Sequence, residues 1–142
     1  MAVPERCPEA VICDLDGTLA LLNGRNPFDW NKIGNDKVNT PVQKLLALYH
    51  HAGYRILFVS GRDNTADSIT QAWLEENQIS YHKLFLRPER DKTSNVDFKR
   101  NIYQQQIHGN YYVHAVLEDL PEAAEMYRYE LHLTVLQVWA MK

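Results

Sequence analysis

The stretch Val11-Ile12-Cys13-Asp14-Leu15-Asp16-Gly17-Thr18-Leu19 restricts the fold more than any other part of the chain. Apolar residues run without alternation into two acids, the pattern of a strand covered on both faces that releases its side chains at the rim of a sheet. Gly17 then breaks the strand. Asp14 and Asp16, two apart on an extended backbone, point the same way, and Leu15 between them points into the core. Two carboxylates on one face repel each other unless a cation lies between them or one holds a proton. Both solutions are chemical. With a divalent metal bound, one carboxylate can attack a phosphorus atom while the other gives and then takes a proton. The competing reading is an ordinary acidic turn or a calcium loop, and the apolar run before the acids weighs against it.

Taken in order, residues 1–9 carry two prolines and read as a surface arm leading into a strand at Ala10–Cys13. Residues 20–39 form an irregular connector, with turn chemistry at Asn23-Gly24-Arg25-Asn26-Pro27 and aromatic residues at Phe28 and Trp30. Thr40 caps a helix with Pro41 at its first position, and Gly53 closes it. A second apolar strand spans Tyr54–Ser60, a helix Thr65–Asn77, and a short strand Lys83–Leu86. Helical character returns over Ser94–Ile107, and Gly109 stops it. A fourth strand covers Tyr111–Leu117, Pro121 opens a helix to about Tyr129, and Leu133–Trp139 makes a fifth strand.

Strands alternating with helices predict an α/β fold: a three-layer, doubly wound, Rossmann-like sheet of five mostly parallel strands. Ligands of such sheets bind at the carboxyl ends of the strands. Three of the five strands end there in chemistry, at Asp14 and Asp16, at Ser60 and Arg62, and at Glu118 and Asp119. A hydroxyl and a guanidinium suit the oxygens of a phosphate. Glu118 and Asp119 add oxygen ligands across from Asp14, and a hard cation of the magnesium type takes such ligands while keeping several waters. Lys99, on the third helix, taken by itself reads first as a solvated surface lysine.

With 142 residues the chain is long enough for one core and too short for two comfortable ones, so residues 1–142 are expected to be a single domain. A net charge of −3 gives no global attraction to a polyanion, and any such partner would need a local patch. Cys7 and Cys13 are too few and too close for a disulfide framework. No apolar stretch approaches membrane-spanning length, and a cytoplasmic protein without membrane contact is expected.

Asp14-Leu15-Asp16-Gly17-Thr18, a strand ending in Ser60, the later Lys99 and the acidic pair Glu118-Asp119 resemble the four motifs of the haloacid dehalogenase superfamily of phosphotransferases. Within it, the residues from Leu19 through Asn23-Gly24-Arg25 to Asp29, the Val59-Ser60-Gly61-Arg62 piece and the closing Leu136-Gln137-Val138-Trp139 are similar to the 3'-phosphatase domain of phage-type polynucleotide kinase-phosphatases. The resemblance runs over nearly the whole chain from Ala10 and implies a fold with only a small cap. It implies Asp14 as nucleophile forming an aspartyl-phosphate, and Asp16 as general acid and then base. Magnesium would be held by Asp14, the backbone carbonyl of Asp16 and Asp119, with Glu118 standing where the family usually has aspartate. Ser60 and Lys99 would hold the transferring phosphoryl group. Arg62, Thr18, Gly61 and Arg25 would serve substrate binding.

The resemblance makes a phosphorylated DNA or RNA end the first substrate candidate. No Gly-rich loop ending in Lys-Ser or Lys-Thr occurs, so 5' phosphorylation is expected to need a separate kinase, and a separate ligase is a natural partner. Phe28 and Trp30 are candidates for stacking on a base, with Arg25, Lys32 and Arg90 near a phosphate chain, or else for packing the connector onto the sheet. A phosphatase of free nucleotides is the alternative, suited by the acidic charge. A non-enzymatic phospho-acceptor switch ranks below both, because a second carboxylate placed like Asp16 would hydrolyse the phosphoaspartate it must preserve.

Overall fold

The computed structural model describes residues 7–139. Seven strands form two sheets: β1 (Glu9–Cys13), β4 (Arg55–Asp63), β5 (Lys83–Arg87), β6 (Tyr112–Glu118) and β7 (Val135–Gln137) in one, β2 (Ala20–Leu21) and β3 (Lys37–Val38) in the other. The large sheet runs β5-β4-β1-β6-β7, with every neighbouring pair parallel. Ile12 of β1 lies between Leu57 of β4 and Val116 of β6. The chain therefore starts in the middle, winds to one edge, and returns to the other side of β1. The gap above β1 and β6, where the winding reverses, is where such a sheet leaves a crevice.

Alternation along β1 divides the core into two. Val11 and Cys13 pack with Val42 and Leu46 of α1 (Thr40–His51) and with Trp73 and Leu74 of α2 (Asp67–Glu76). Ala10 and Ile12 pack on the opposite face, with Phe98 of α3 (Asn95–Ile102) and with Met126 and Tyr127. The last two lie in a π-turn, Met126–Glu130, that continues α4 (Pro121–Glu125). Helices on both faces explain why β1 shows no polar alternation: its last four residues are at most 1% exposed.

The expected elements are all present, with informative differences at their ends. Of the arm expected at residues 1–9, residues 1–6 lie outside the described ones, and Glu9 already begins β1. Strand β4 runs three residues beyond Ser60, because Asp63 pairs with Arg87 after an irregularity in the ladder. The helix expected at Thr65–Asn77 is a 3₁₀ turn, Asn64–Ala66, capped by the Asp63 carboxylate on Thr65 N–H at 2.9 Å, followed by α2. Thr40 is the first helical residue of α1 rather than its cap. Asn39 holds the cap position and donates from its side-chain amide to Thr18 O at 2.9 Å. The third helix loosens from α into a π-turn at Tyr103–Ile107. The fifth strand is cut to three residues.

The connector at 20–39 is less irregular than its composition suggests. Strands β2 and β3 close it as a short antiparallel pair, and a 3₁₀ helix, Trp30–Asn35, fills the middle with Ile33 buried. The Trp73 indole of α2 donates to the Asp36 backbone carbonyl at 2.9 Å and pins the connector to that helix.

Candidate active site

The backbone after β1 winds tightly around one carbonyl. Thr18, Leu19 and Ala20 all donate their N–H to Leu15 O, at 3.1, 3.0 and 2.9 Å, while Asp14 N donates to Leu117 O of β6 at 3.0 Å. This turn swings Asp14 toward β6 and Asp16 toward the connector. Gly17 makes it possible, with φ +86, and a Cβ there would sit 2.2 Å from a carboxylate oxygen of Asp119. The residue that breaks the strand also leaves the space that Asp119 occupies.

Around Asp14 the charges are negative in excess. Lys99, 3% exposed, donates from Nζ to Asp14 Oδ1 at 3.0 Å and to Glu118 Oε1 at 2.7 Å. Burial works against its charge, but the Asp14 and Glu118 carboxylates outweigh it, so the ammonium is held above its ordinary range. Burial likewise pushes the Asp14 carboxyl up, yet the Lys99 charge and surrounding hydrogen bonds bring it below the usual carboxylate value. Asp119 is pushed up to about 6 by burial and by the neighbouring Asp14. The Thr18 hydroxyl lies 3.0 Å from Asp119 Oδ1 and 3.4 Å from Asp14 Oδ2, between the two.

Asp14, Glu118 and Asp119 each bring a carboxylate oxygen within 4.8 Å of the others, a spacing that fits one cation. Glu118 is the least available of the three. It is 1% exposed, with one oxygen on Lys99 and the other accepting from Leu120 N at 3.2 Å. Asp14 and Asp119 remain to face the cleft. Two neighbouring carboxylates that repel each other when both are ionised offer hard oxygen donors to a cation.

Around Asp16 the charges balance. Arg62 reaches its carboxylate twice, from Nη2 at 2.7 Å and Nε at 3.2 Å, and Arg25 once, from Nη2 at 2.9 Å. Behind them lies Asp36, its side chain fully buried. It accepts a bidentate fork from Arg25 at 2.7 and 2.9 Å and a bond from Arg62 at 3.3 Å. Burial works against the Arg25 charge, but Asp36 and Asp16 reverse this and hold the guanidinium above its ordinary value. Arg62 completes its fork on the Thr70 hydroxyl at 2.9 Å.

Asp14, Asp16, Ser60, Gly61, Arg62, Lys99 and Asp119 thus line one cleft of about 370 Å³ at the carboxyl ends of the strands. Ser60 is 1% exposed, and its hydroxyl accepts from Arg62 N at 3.1 Å. Gly61 is tight against Asn95 Oδ1, 2.2 Å from where a Cβ would stand. Arg25 stands elsewhere: it is 6% exposed, behind Asp16, and its remaining donors go to the carbonyls of Pro27 at 2.9 Å and Asn26 at 3.4 Å. Thr18 and Glu118 also sit behind the lining. The turn at Gly17 sends Asp14 and Asp16 to different partners, Lys99 for the first and Arg25 and Arg62 for the second.

Sequence reasoning missed Asp36, the residue that joins both guanidiniums. Its only signal is an acid between two short strands, beside an arginine it reaches across the connector. It also missed Arg87, which lines the cleft, donates to Thr93 O at 2.9 Å and to Asn95, and lies over the Phe98 ring at 5.7 Å.

The fold is that of the haloacid-dehalogenase-like phosphatases. A class C acid phosphatase from Bacillus anthracis, solved with tungstate bound, superposes with a TM-score of 0.61 at 14% identity, over 94% of this chain and 67% of that one. The particular family follows from sequence: the polynucleotide kinase PNKP phosphatase-domain family matches residues 8–141, and the chain belongs to it. The chain is also 38% identical to a chain of the Pnkp1/Rnl/Hen1 complex, with a TM-score of 0.92, covering 96% of this chain and 47% of that one. A structure of the Pnkp1/Rnl/Hen1 RNA repair complex agrees, at 38% identity and a TM-score of 0.91, over 94% of this chain and 43% of that one. A protein of Autographa californica nuclear polyhedrosis virus, named as a bifunctional polynucleotide kinase/RNA ligase, is 36% identical over 131 residues, 89% of this chain and 19% of that protein. The chain spans less than half the length of the Pnkp1/Rnl/Hen1 chains and of the viral protein that it matches. Among the described residues no helix is long and apolar enough to cross a membrane.

Proposed function

We propose that residues 1–142 act as a single phosphatase domain that removes 3'-phosphates from polynucleotide ends through an aspartyl-phosphate on Asp14. The observation that carries this reading is the pairing of Asp14 with the buried Lys99 beside Asp119, at the crevice where the sheet reverses its winding. RNA ends come first, since the similar chains come from an RNA repair complex and from a protein named for an RNA ligase activity. A separate ligase is the corresponding partner.

Lys99 keeps Asp14 ionised and aimed, so that its free oxygen attacks phosphorus while the bond from phosphorus to the 3' oxygen breaks. Asp16, held in place by Arg25 and Arg62, enters the reaction in its protonated form and gives that proton to the leaving oxygen. It then takes one from the water that attacks the aspartyl-phosphate, releasing phosphate and restoring Asp14. Ser60 and the Lys99 ammonium face the oxygens of the group in transfer. Glu118 orients Lys99, and Asp36 orients Arg25 and Arg62. Asp14 and Asp119, with the Asp16 carbonyl, would hold magnesium, which supplies charge neutralisation at the phosphoryl oxygens when bound.

The test is phosphate release from an RNA oligonucleotide with a 3'-phosphate, beside its DNA counterpart, the matching 5'-phosphate and a 3'-mononucleotide, with magnesium and with chelator. Metal-dependent release from the 3' ends, lost by more than about a thousandfold in Asp14→Asn with the fold intact, is expected. Release from the mononucleotide alone would make this a nucleotidase. Substantial turnover by Asp14→Asn would remove the covalent mechanism.

A further inference from the structure

Phe28 is 81% exposed on the wall of the catalytic cleft, and its ring contributes nothing to either core cluster. An aromatic ring left in water at the mouth of a site forgoes the 1.5–3 kcal/mol or so that burial would supply, so packing does not account for its place. Its backbone is nonetheless held firmly. The Phe28 N–H donates to Asn26 Oδ1 at 3.0 Å, and the preceding carbonyl, Pro27 O, accepts from Arg25 Nη1 at 2.9 Å. The Phe28 ring meets Trp30 edge to face, centroids 6.2 Å apart at 71°, and Trp30 packs on the core. The Phe28 ring therefore stands exposed at the cleft against Trp30, with its loop tied to the guanidinium that holds Asp16.

The cleft also carries basic groups outside the catalytic cluster. Arg87 and Arg90 line it from the carboxyl end of β5. Two acids share this wall, Asp63 opposite Arg87 across the β4–β5 ladder and Asp91 next to Arg90, and both also accept from backbone amides: Asp63 from Thr65 N at 2.9 Å and Asp91 from Thr93 N at 2.9 Å. Arg90 is exposed and held at φ +71. A stacking ring and arginines around a phosphate-handling centre match the three parts of a nucleic acid terminus: base, internal phosphodiester and terminal phosphate.

Resting on the 3'-phosphatase reading, we propose that Phe28 is the platform on which the 3'-terminal base of the substrate stacks, with Arg90 meeting the phosphodiester behind that nucleotide. The aromatic wall then recognises a base of any identity, because every base offers a π-face, and the arginine favours a strand over a mononucleotide.

The experiment compares wild type, Phe28→Ala and Arg90→Ala on three 3'-phosphorylated substrates: an oligonucleotide, the same oligonucleotide with an abasic terminal sugar, and a 3'-mononucleotide. Phe28→Ala is expected to raise KM about tenfold for the oligonucleotide and the mononucleotide, and to leave the abasic end unchanged. Phe28→Trp should restore the wild-type value. Arg90→Ala should raise KM for both oligonucleotides, with a shallower salt dependence, and leave the mononucleotide unchanged. Equal KM in wild type and Phe28→Ala on every substrate would overturn the platform and leave the ring to a protein partner. An equal rise on the abasic end would overturn it as well. Failure of wild type itself to release phosphate from the oligonucleotide would remove the 3'-phosphatase reading, and the platform with it.

Discussion

Asp14 and Asp16 are two residues apart and have opposite electrostatic surroundings. On the Asp14 side, three carboxylates, Asp14, Glu118 and Asp119, share one ammonium. On the Asp16 side, two carboxylates, Asp16 and Asp36, share two guanidiniums. The first side carries a negative excess that a bound cation would offset; the second has as many guanidiniums as acidic side chains. A phosphoryl-transfer site needs both kinds: a place where charge is added with the metal and substrate, and a proton carrier whose position does not depend on either. The tight turn at Gly17 is what lets neighbouring residues belong to such different environments.

The largest break in this contrast comes from Lys99→Ala. It leaves Asp14 and the buried Glu118 without their cation, so kcat should fall roughly a hundred- to a thousandfold and stability by about 3–5 kcal/mol. Steady-state kinetics and urea unfolding measure the two separately. Adding Glu118→Gln should recover much of the stability and little of the rate. Recovery of both would mean that Lys99 acts only as a structural counter-ion.

A smaller effect is expected from Asp36→Asn on the balanced side. Arg25 and Arg62 then have only Asp16 to share, and the proton carrier loses its fixed place. A fall in kcat of roughly tenfold to a hundredfold with KM unchanged is expected, because Asp36 does not reach the cleft. A rise in KM with kcat unchanged would instead make Arg62 a substrate ligand whose aim Asp36 controls.

The finest test uses pH. Burial and Asp14 raise the Asp119 carboxyl from 3.8 to about 6 in the folded protein. Between these values the folded state keeps a proton that the unfolded chain has lost. The contribution to stability is therefore complete below 3.8 and disappears as pH rises through 6. Asp14, held below its usual value, acts the other way, and only below 3.8. Magnesium must displace the Asp119 proton, so its affinity should weaken about tenfold per pH unit below 6 and be level above. The rise in Tm on adding magnesium should be larger at pH 7 than at pH 5. An equal rise at both would place the cation away from Asp119.

Much of this was legible before the fold was known. Unbroken apolar runs marked strands covered on both faces, Pro41 and Pro121 marked helix starts, and polar residues at strand ends marked one rim of the sheet, which lines a cleft. The local pattern reports burial and backbone preference within a few residues, and no further. It did not tell a solvated lysine from a buried one, and only the tertiary structure placed Lys99 between Asp14 and Glu118, 85 and 19 residues away. Nor does Arg25 in an Asn-Gly-Arg turn announce that its guanidinium turns inward. That is decided by Asp36, which the Trp73 indole and the β2–β3 pairing hold behind Asp16. Gly17 is a strand breaker by its neighbours in sequence, and the host of the Asp119 carboxylate only by its neighbours in space. Periodicity carries no information about which strand ends meet. The winding order β5-β4-β1-β6-β7 sets that, and with it the balance of charge on each side of the site.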